Sequence, residues 1–100
     1  MQITSTRNEN TIQLTIDGRI DTNTSPQLQN EILTAFQKVN NVILEFEKVA
    51  YISSAGLRAL LIGQKTALSK QGSMKLVHVQ PMVMQVLKMS GFINGLNVEQ

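Results

Sequence analysis

Between Val49 and Leu61 the chain changes its period. An apolar run ends at Val49-Ala50-Tyr51-Ile52, and two hydroxyls and a glycine follow at Ser53-Ser54-Ala55-Gly56. Leu57-Arg58-Ala59-Leu60-Leu61 then repeats with helical spacing. A strand or loop must hand over to a helix within a few residues. Unpaired N–H groups and the positive end of the helix dipole gather at such a start. The segments on either side have to supply the sheet and helices that carry this junction.

Upstream, residues 2–7 alternate loosely, as a short edge strand does, and Asn8-Glu9-Asn10 signals a turn. Thr11 to Ile16 alternates cleanly, which predicts a half-buried strand with Ile12, Leu14 and Ile16 facing inward. Together these segments form a hairpin, which Asp17-Gly18 ends or bulges. Arg19 to Pro26 reads as a polar connector. Thr24 or Ser25 is expected to cap the first helix, with Pro26 in its first turn, where a missing N–H does no harm. Leu28, Ile32, Ala35, Phe36 and Val39 give that helix its apolar face, and Asn40-Asn41 stops it. Val42 to Phe46 is a nearly continuous apolar run, the pattern of a central strand buried on both sides, and Glu47-Lys48 is expected to turn.

The second helix starts at Ser53 or Ser54 and sets Leu57, Leu60, Leu61, Gln64 and Leu68 on one face. It stops near Lys70-Gln71-Gly72. Ser73 to Val79 is a fourth strand, and Pro81 opens a third helix that runs to Ser90-Gly91. Phe92 and Ile93 fold back, and Leu96 to Val98 is a last short strand. The order β-β-α-β-α-β-α-β predicts an α/β fold. Its mixed sheet has four to five strands, an initial antiparallel hairpin and then mostly parallel pairing, with helices mainly on one face. A chain of 100 residues, 42% of them hydrophobic, is expected to form one domain over residues 1–100 with a real core.

Composition removes several classes of function. There is no cysteine, hence no thiol catalysis and no disulfide. The nine Lys and Arg are scattered without a basic run, so the net charge of +2 gives no footprint for nucleic acid. No apolar run nears the ~20 residues that span a bilayer. The N-terminus lacks a basic segment followed by a long apolar one, so a cytoplasmic location is expected. A serine nucleophile needs a base, and the only histidine is His78, on a predicted strand, where a structural or surface role is expected. There is no G-x-S-x-G, Walker A, G-x-G-x-x-G or H-E-x-x-H pattern, and the seven carboxylates show no metal-ligand spacing. The chain is expected to be no enzyme and to hold no metal or cofactor.

Ser53-Ser54 itself supports two readings. One hydroxyl suffices to cap the helix, a contribution of ~1 kcal/mol. The second, at the first helical position, is then free, and a phosphate there would meet open N–H groups and a favourable dipole. Such a phosphate would add about −1.5 to −2 charge to a surface patch and repel a docked partner.

The stretch Tyr51-Ile52-Ser53-Ser54-Ala55-Gly56-Leu57 resembles the signature of the STAS domain, in particular of stand-alone anti-sigma factor antagonists. Their pattern is an aromatic, an apolar residue, Asp-Ser, a small residue and Gly-Leu. Gly18-Arg19-Ile20-Asp21-Thr22-Asn23-Thr24 is similar to the family's Gly-x-Leu/Ile-Asp-x-x-Thr segment. Val42 to Phe46 matches the strand before the site, and Lys88-Met89-Ser90-Gly91-Phe92 matches a late Met-Ser/Thr-Gly-Phe/Leu signature. The resemblance spans nearly the whole chain.

It implies a phospho-regulated binding module. The unphosphorylated form would bind an anti-sigma factor that is a serine kinase and so release a sigma factor. Phosphorylation would dissociate the pair, and a PP2C-type phosphatase would reset it. The resemblance places the phosphoacceptor at Ser54 and the partner-binding surface at Asp21, Thr24, Ser53, Ser54, Gly56 and Arg58. Ser53 stands where the family usually has Asp, and Ala55 where relatives often carry a second hydroxyl. Asp21 also reads as a turn residue and Thr24 as a cap. A monomer or weak dimer, with no bound nucleic acid and no membrane insertion, is expected. Two other readings stand beside this one. The first is a STAS scaffold or complex subunit that phosphorylation does not regulate. The second is a nucleotide-binding or hydrolytic protein using the Ser53-Ser54 helix N-terminus as an anion site.

Overall fold

A tight turn after Asn8 sends the chain back on itself. In the computed structural model, which describes residues 1–100, Gln2–Asn8 (β1) pairs antiparallel with Thr11–Ile20 (β2), from Asn8 opposite Thr11 to Gln2 opposite Asp17. From there each strand follows a helix and pairs in parallel with the strand before it. Asn41–Ile52 (β3) follows Ser25–Lys38 (α1), and Ser73–Val77 (β4) follows Ser54–Ser69 (α2). Asn97–Val98 (β5) follows Pro81–Ser90 (α3) and a 3-10 turn at Phe92–Gly95. The spatial order of the five strands is their sequence order. Crossovers of the usual right hand that all advance in one direction must lay their helices on one face.

That face holds the core. Ile12, Leu14, Ile16 and Ile20 of β2, with Val42, Leu44, Phe46, Val49 and Ile52 of β3, are buried against Leu28, Ile32 and Phe36 of α1 and Leu57 and Leu60 of α2. Val83 and Leu87 of α3 close the same cluster, and Phe92 and Ile93 pack partly buried against it, as expected. Buried aliphatic side chains of this kind stabilise by about 1.5–3 kcal/mol each relative to exposure. With so few aromatics, the fold rests on their number.

Of the two outcomes expected at Asp17-Gly18 the bulge holds: register shifts flank the pair, and β2 continues to Ile20 with Gly18 at φ 131°. Four local expectations are overturned. Glu47-Lys48 is not a turn but part of β3: between the pairs Thr15–Glu45 and Asp17–Lys48 the register slips by one residue, a bulge that lets both strands run on. β3 is central but not buried on both sides, because no helix covers its second face, where Ile43 and Glu45 are half-buried. Leu68 is 66% exposed, while Gly63 and Ala67 are buried in its stead. A Cβ on Gly63 would lie 2.7 Å from Met74 Sδ and 2.9 Å from Ile32 Cγ2, so only a small residue lets α2 approach there. The fourth strand ends at Val77 rather than Val79, because His78 turns to φ 55°.

Candidate functional site

Ile20 and Ile52 are register partners at the ends of β2 and β3, and both are buried. The residues that follow them, Asp21 and Ser53, therefore leave the sheet side by side. The Ser53 N–H donates to the Ile20 carbonyl at 2.8 Å, which ties one exit to the other.

The first exit is closed by a local clasp. Asp21 Oδ1 accepts from the backbone N–H groups of Asn23 (2.9 Å) and Thr24 (3.0 Å). In return Thr24 Oγ1 accepts from the Asp21 N–H at 2.9 Å, and it donates to the Arg19 carbonyl at 2.8 Å. This reciprocal pairing at i and i+3 follows the logic of a capping box. Thr24 stands at the N-cap of α1 yet makes no cap bond with its side chain, because its hydroxyl is spent on the turn behind it. Ser25 does not cap either; it is the first helical residue. The Thr24 N–H, above all, holds the Asp21 carboxyl below its ordinary 3.8. Partial burial opposes this, and the Asn23 N–H, the Thr24 hydroxyl and the charge of Arg19 reinforce it.

The second exit is more open. Ser53 is extended (φ −93°, ψ 173°), and its Oγ accepts from the Gly56 N–H at 3.3 Å, the N-cap bond to the third helical residue. Ser54 begins α2 and is exposed. No acidic residue stands in the first turn of α2, so the helix itself supplies no counter-charge to the positive end of its dipole.

Gly56 is buried, and a Cβ there would come within 2.6 Å of Ile20 Cγ2 and 2.7 Å of Ile52 Cγ1. It lets α2 sit down on the strand ends and is itself largely shielded from solvent. Leu57 packs inward. Arg58, one turn along α2, is exposed. Asp21, Thr24, Ser53 and Ser54 thus share one end of the β2–β3 pair, with Arg58 on the helix above them. Sequence reasoning missed a neighbour of this group: Arg19 lies opposite Tyr51 in the strand register, with its guanidinium carbon 4.2 Å from the ring centroid. Only the parallel pairing of β2 with β3 brings the two together.

The arrangement can present a hydroxyl, a helix N-terminus and a rigid carboxylate turn to a partner. The single imidazole, His78, lies at the exit of β4, with Nδ1 2.7 Å from Glu45 Oε2. Glu45, Glu47 and His78, scattered in sequence, come together there. A hollow of about 600 Å³ opens elsewhere, among Thr6, Asn8, Gln13, Asn41 and Ile43, and includes none of the junction residues. No helix is long and apolar enough to cross a membrane.

The chain is similar to known proteins in sequence and in fold. The chain is 30% identical over 95 residues, 94% of its own length and 82% of the relative's, to a Bordetella bronchiseptica (strain RB50) protein that bears the name anti-sigma factor antagonist BtrV. Its fold is similar to that of the anti-sigma factor antagonist SpoIIAA in the unphosphorylated form. The TM-score is 0.82 and the identity 22%, over 99% of this chain and 89% of that one. The Bacillus cell fate determinant SpoIIAA in its phosphorylated form matches with a TM-score of 0.75 and 22% identity, over 99% and 92% of the two chains. The sequence model described as the STAS domain matches residues 2–100, and the chain belongs to that family.

Proposed function

We propose that this chain is a single STAS domain acting as an anti-sigma factor antagonist in the cytoplasm, without catalysis of its own. Unphosphorylated, it binds an anti-sigma factor that is a serine kinase and so frees a sigma factor; phosphorylation of Ser54 reverses the binding. A PP2C-type phosphatase restores the first state. The observation that carries this reading is the division of labour at the second exit. Ser53 supplies the cap, and Ser54 stands exposed at the first position of a helix with no acid in its first turn. A phosphate there gains the dipole and the open N–H groups without unfolding the helix. Its charge then confronts whatever had docked on Asp21, Thr24 and Arg58.

Intact-mass and peptide analysis after incubation with the anti-sigma factor kinase of the same organism and ATP tests it. One phosphate on Ser54 is expected. Ser54→Ala is expected to keep partner binding and abolish modification, and Ser54→Asp to weaken binding. Modification elsewhere, or none with binding intact, would sink the switch and leave a constitutive STAS scaffold.

A further inference from the structure

Away from the Ser54 junction, the uncovered face of the sheet carries a second organised cluster. Glu45 lies opposite Val77 in the β3–β4 register, so His78, the next residue, leaves β4 beside it. Glu45 is well shielded, with 14% of its side chain exposed, and both carboxylate oxygens are placed: Oε1 accepts from the Glu47 N–H at 3.0 Å, and Oε2 meets His78 Nδ1 at 2.7 Å. The Glu47 carbonyl accepts from Gln80 Nε2 at 2.6 Å, which fastens the turn containing His78 to β3. Ligand atoms of Glu45, Glu47 and His78 all lie within 4.8 Å of one another.

We propose that Glu45, Glu47 and His78 form a binding site for a divalent metal ion of the zinc class. Zinc holds carboxylate oxygen and imidazole nitrogen at about 2.0–2.2 Å, so His78 Nδ1 and Glu45 Oε2, 2.7 Å apart, need only part slightly while a Glu47 oxygen swings inward. Glu45 is anchored and Glu47 is exposed and free to make that movement. Three protein ligands leave the remaining positions to water, as in open zinc sites. The imidazole selects against calcium and magnesium, which prefer all-oxygen shells.

The local charge favours a cation. Two carboxylates stand within 4.8 Å of one another, and the ion pairs of the chain are His78–Glu45 and Lys75–Glu99, so Glu47 has no cationic side chain of its own. The Glu45 and Glu47 carboxylates set a negative field around His78 Nδ1. The same field attracts a metal, which takes the place of the proton between Nδ1 and Oε2; that proton leaves to solvent.

Zn²⁺ alone, titrated into the full chain near neutral pH and followed by calorimetry and NMR, tests the site. One ion per chain is expected. The His78 ring resonances should shift together with the Glu45 and Glu47 amides, and excess Mg²⁺ should not reverse the change. His78→Asn keeps a residue that tolerates positive φ and removes the imidazole; Glu47→Gln keeps shape and removes charge. Each is expected to weaken Zn²⁺ binding at least about tenfold, with amide spectra showing an intact fold. Undiminished affinity in both variants, a Zn²⁺ response that leaves the His78 ring unmoved, or no saturable binding overturns the proposal. None of these outcomes touches the Ser54 switch, which is read by mass and partner binding.

Discussion

Two helices start beside each other at the ends of paired parallel strands, and they start in opposite ways. At α1 the Asp21 carboxylate and the Thr24 hydroxyl answer each other's backbone, and the turn is over-determined. At α2 one serine hydroxyl supplies one bond, and the next serine faces solvent. The sealed start keeps a fixed shape and charge. The open one can accept a new charge without losing what holds it. A surface built from one of each presents a constant half and a variable half, joined by the Ser53–Ile20 bond.

Substitutions that erase this contrast should have graded effects. Gly56→Val is expected to be the most damaging, at about 1–3 kcal/mol, because the new side chain must displace Ile20 and Ile52 beneath both exits. Urea denaturation would show a lower midpoint; an unchanged midpoint would mean the junction has slack. Ser53→Ala removes the only side-chain cap of α2 and should cost about 1 kcal/mol. Amide exchange should then accelerate in the first turn of α2 while the first turn of α1 stays protected. Ser53→Asp should make the second start resemble the first. It retains a cap acceptor and adds a charge at the bare dipole, raising stability by about 0.3–1 kcal/mol at low salt and less as salt increases. A thermal-melt series in sodium chloride checks both the sign and the screening.

Asp21→Asn should change least at neutral pH, since an amide oxygen can still accept from Asn23 and Thr24. Its signature lies in acid. The folded pKa of Asp21 is below 3.8, so its contribution is complete above that value and is lost as pH falls through the folded pKa. The parent should therefore lose stability across that acid range more steeply than the variant. Parallel acid-limb curves would remove Asp21 as a charged partner of the clasp.

The elements most legible in the sequence were those whose cause is local. The alternation of Ile12, Leu14 and Ile16, the change of period after Ile52 and the cap at Ser53 each follow from a few neighbouring residues. What escaped depends on partners distant in sequence. Glu47-Lys48 reads as a turn because two charged residues interrupt an apolar run, whereas the bulge against β2 absorbs them within β3. Leu68 fits a helical stripe, but the approach of Met74 and Ile32 to Gly63 sets which face of α2 points down. Asp21 and Thr24 were visible as turn and cap residues, yet their mutual clasp reverses the role expected of Thr24. The grouping of Glu45 with His78 left no such signal: the turn expected at Glu47-Lys48 takes Glu47 off the strand, and His78 arrives only through the β3–β4 register.

A sheet whose spatial order repeats its sequence order can be completed in one pass. Each strand, as it is made, finds its neighbour already in place, and no later segment has to be threaded between earlier ones. Each parallel pair closes a crossover of 22–32 residues, and these pairings can form in turn from the N-terminus during synthesis. The hydrogen bonds that join the two exits and cap α2 lie within residues 19–56, so the surface at Ser54 begins to take shape before Met74 emerges from the ribosome to seat α2.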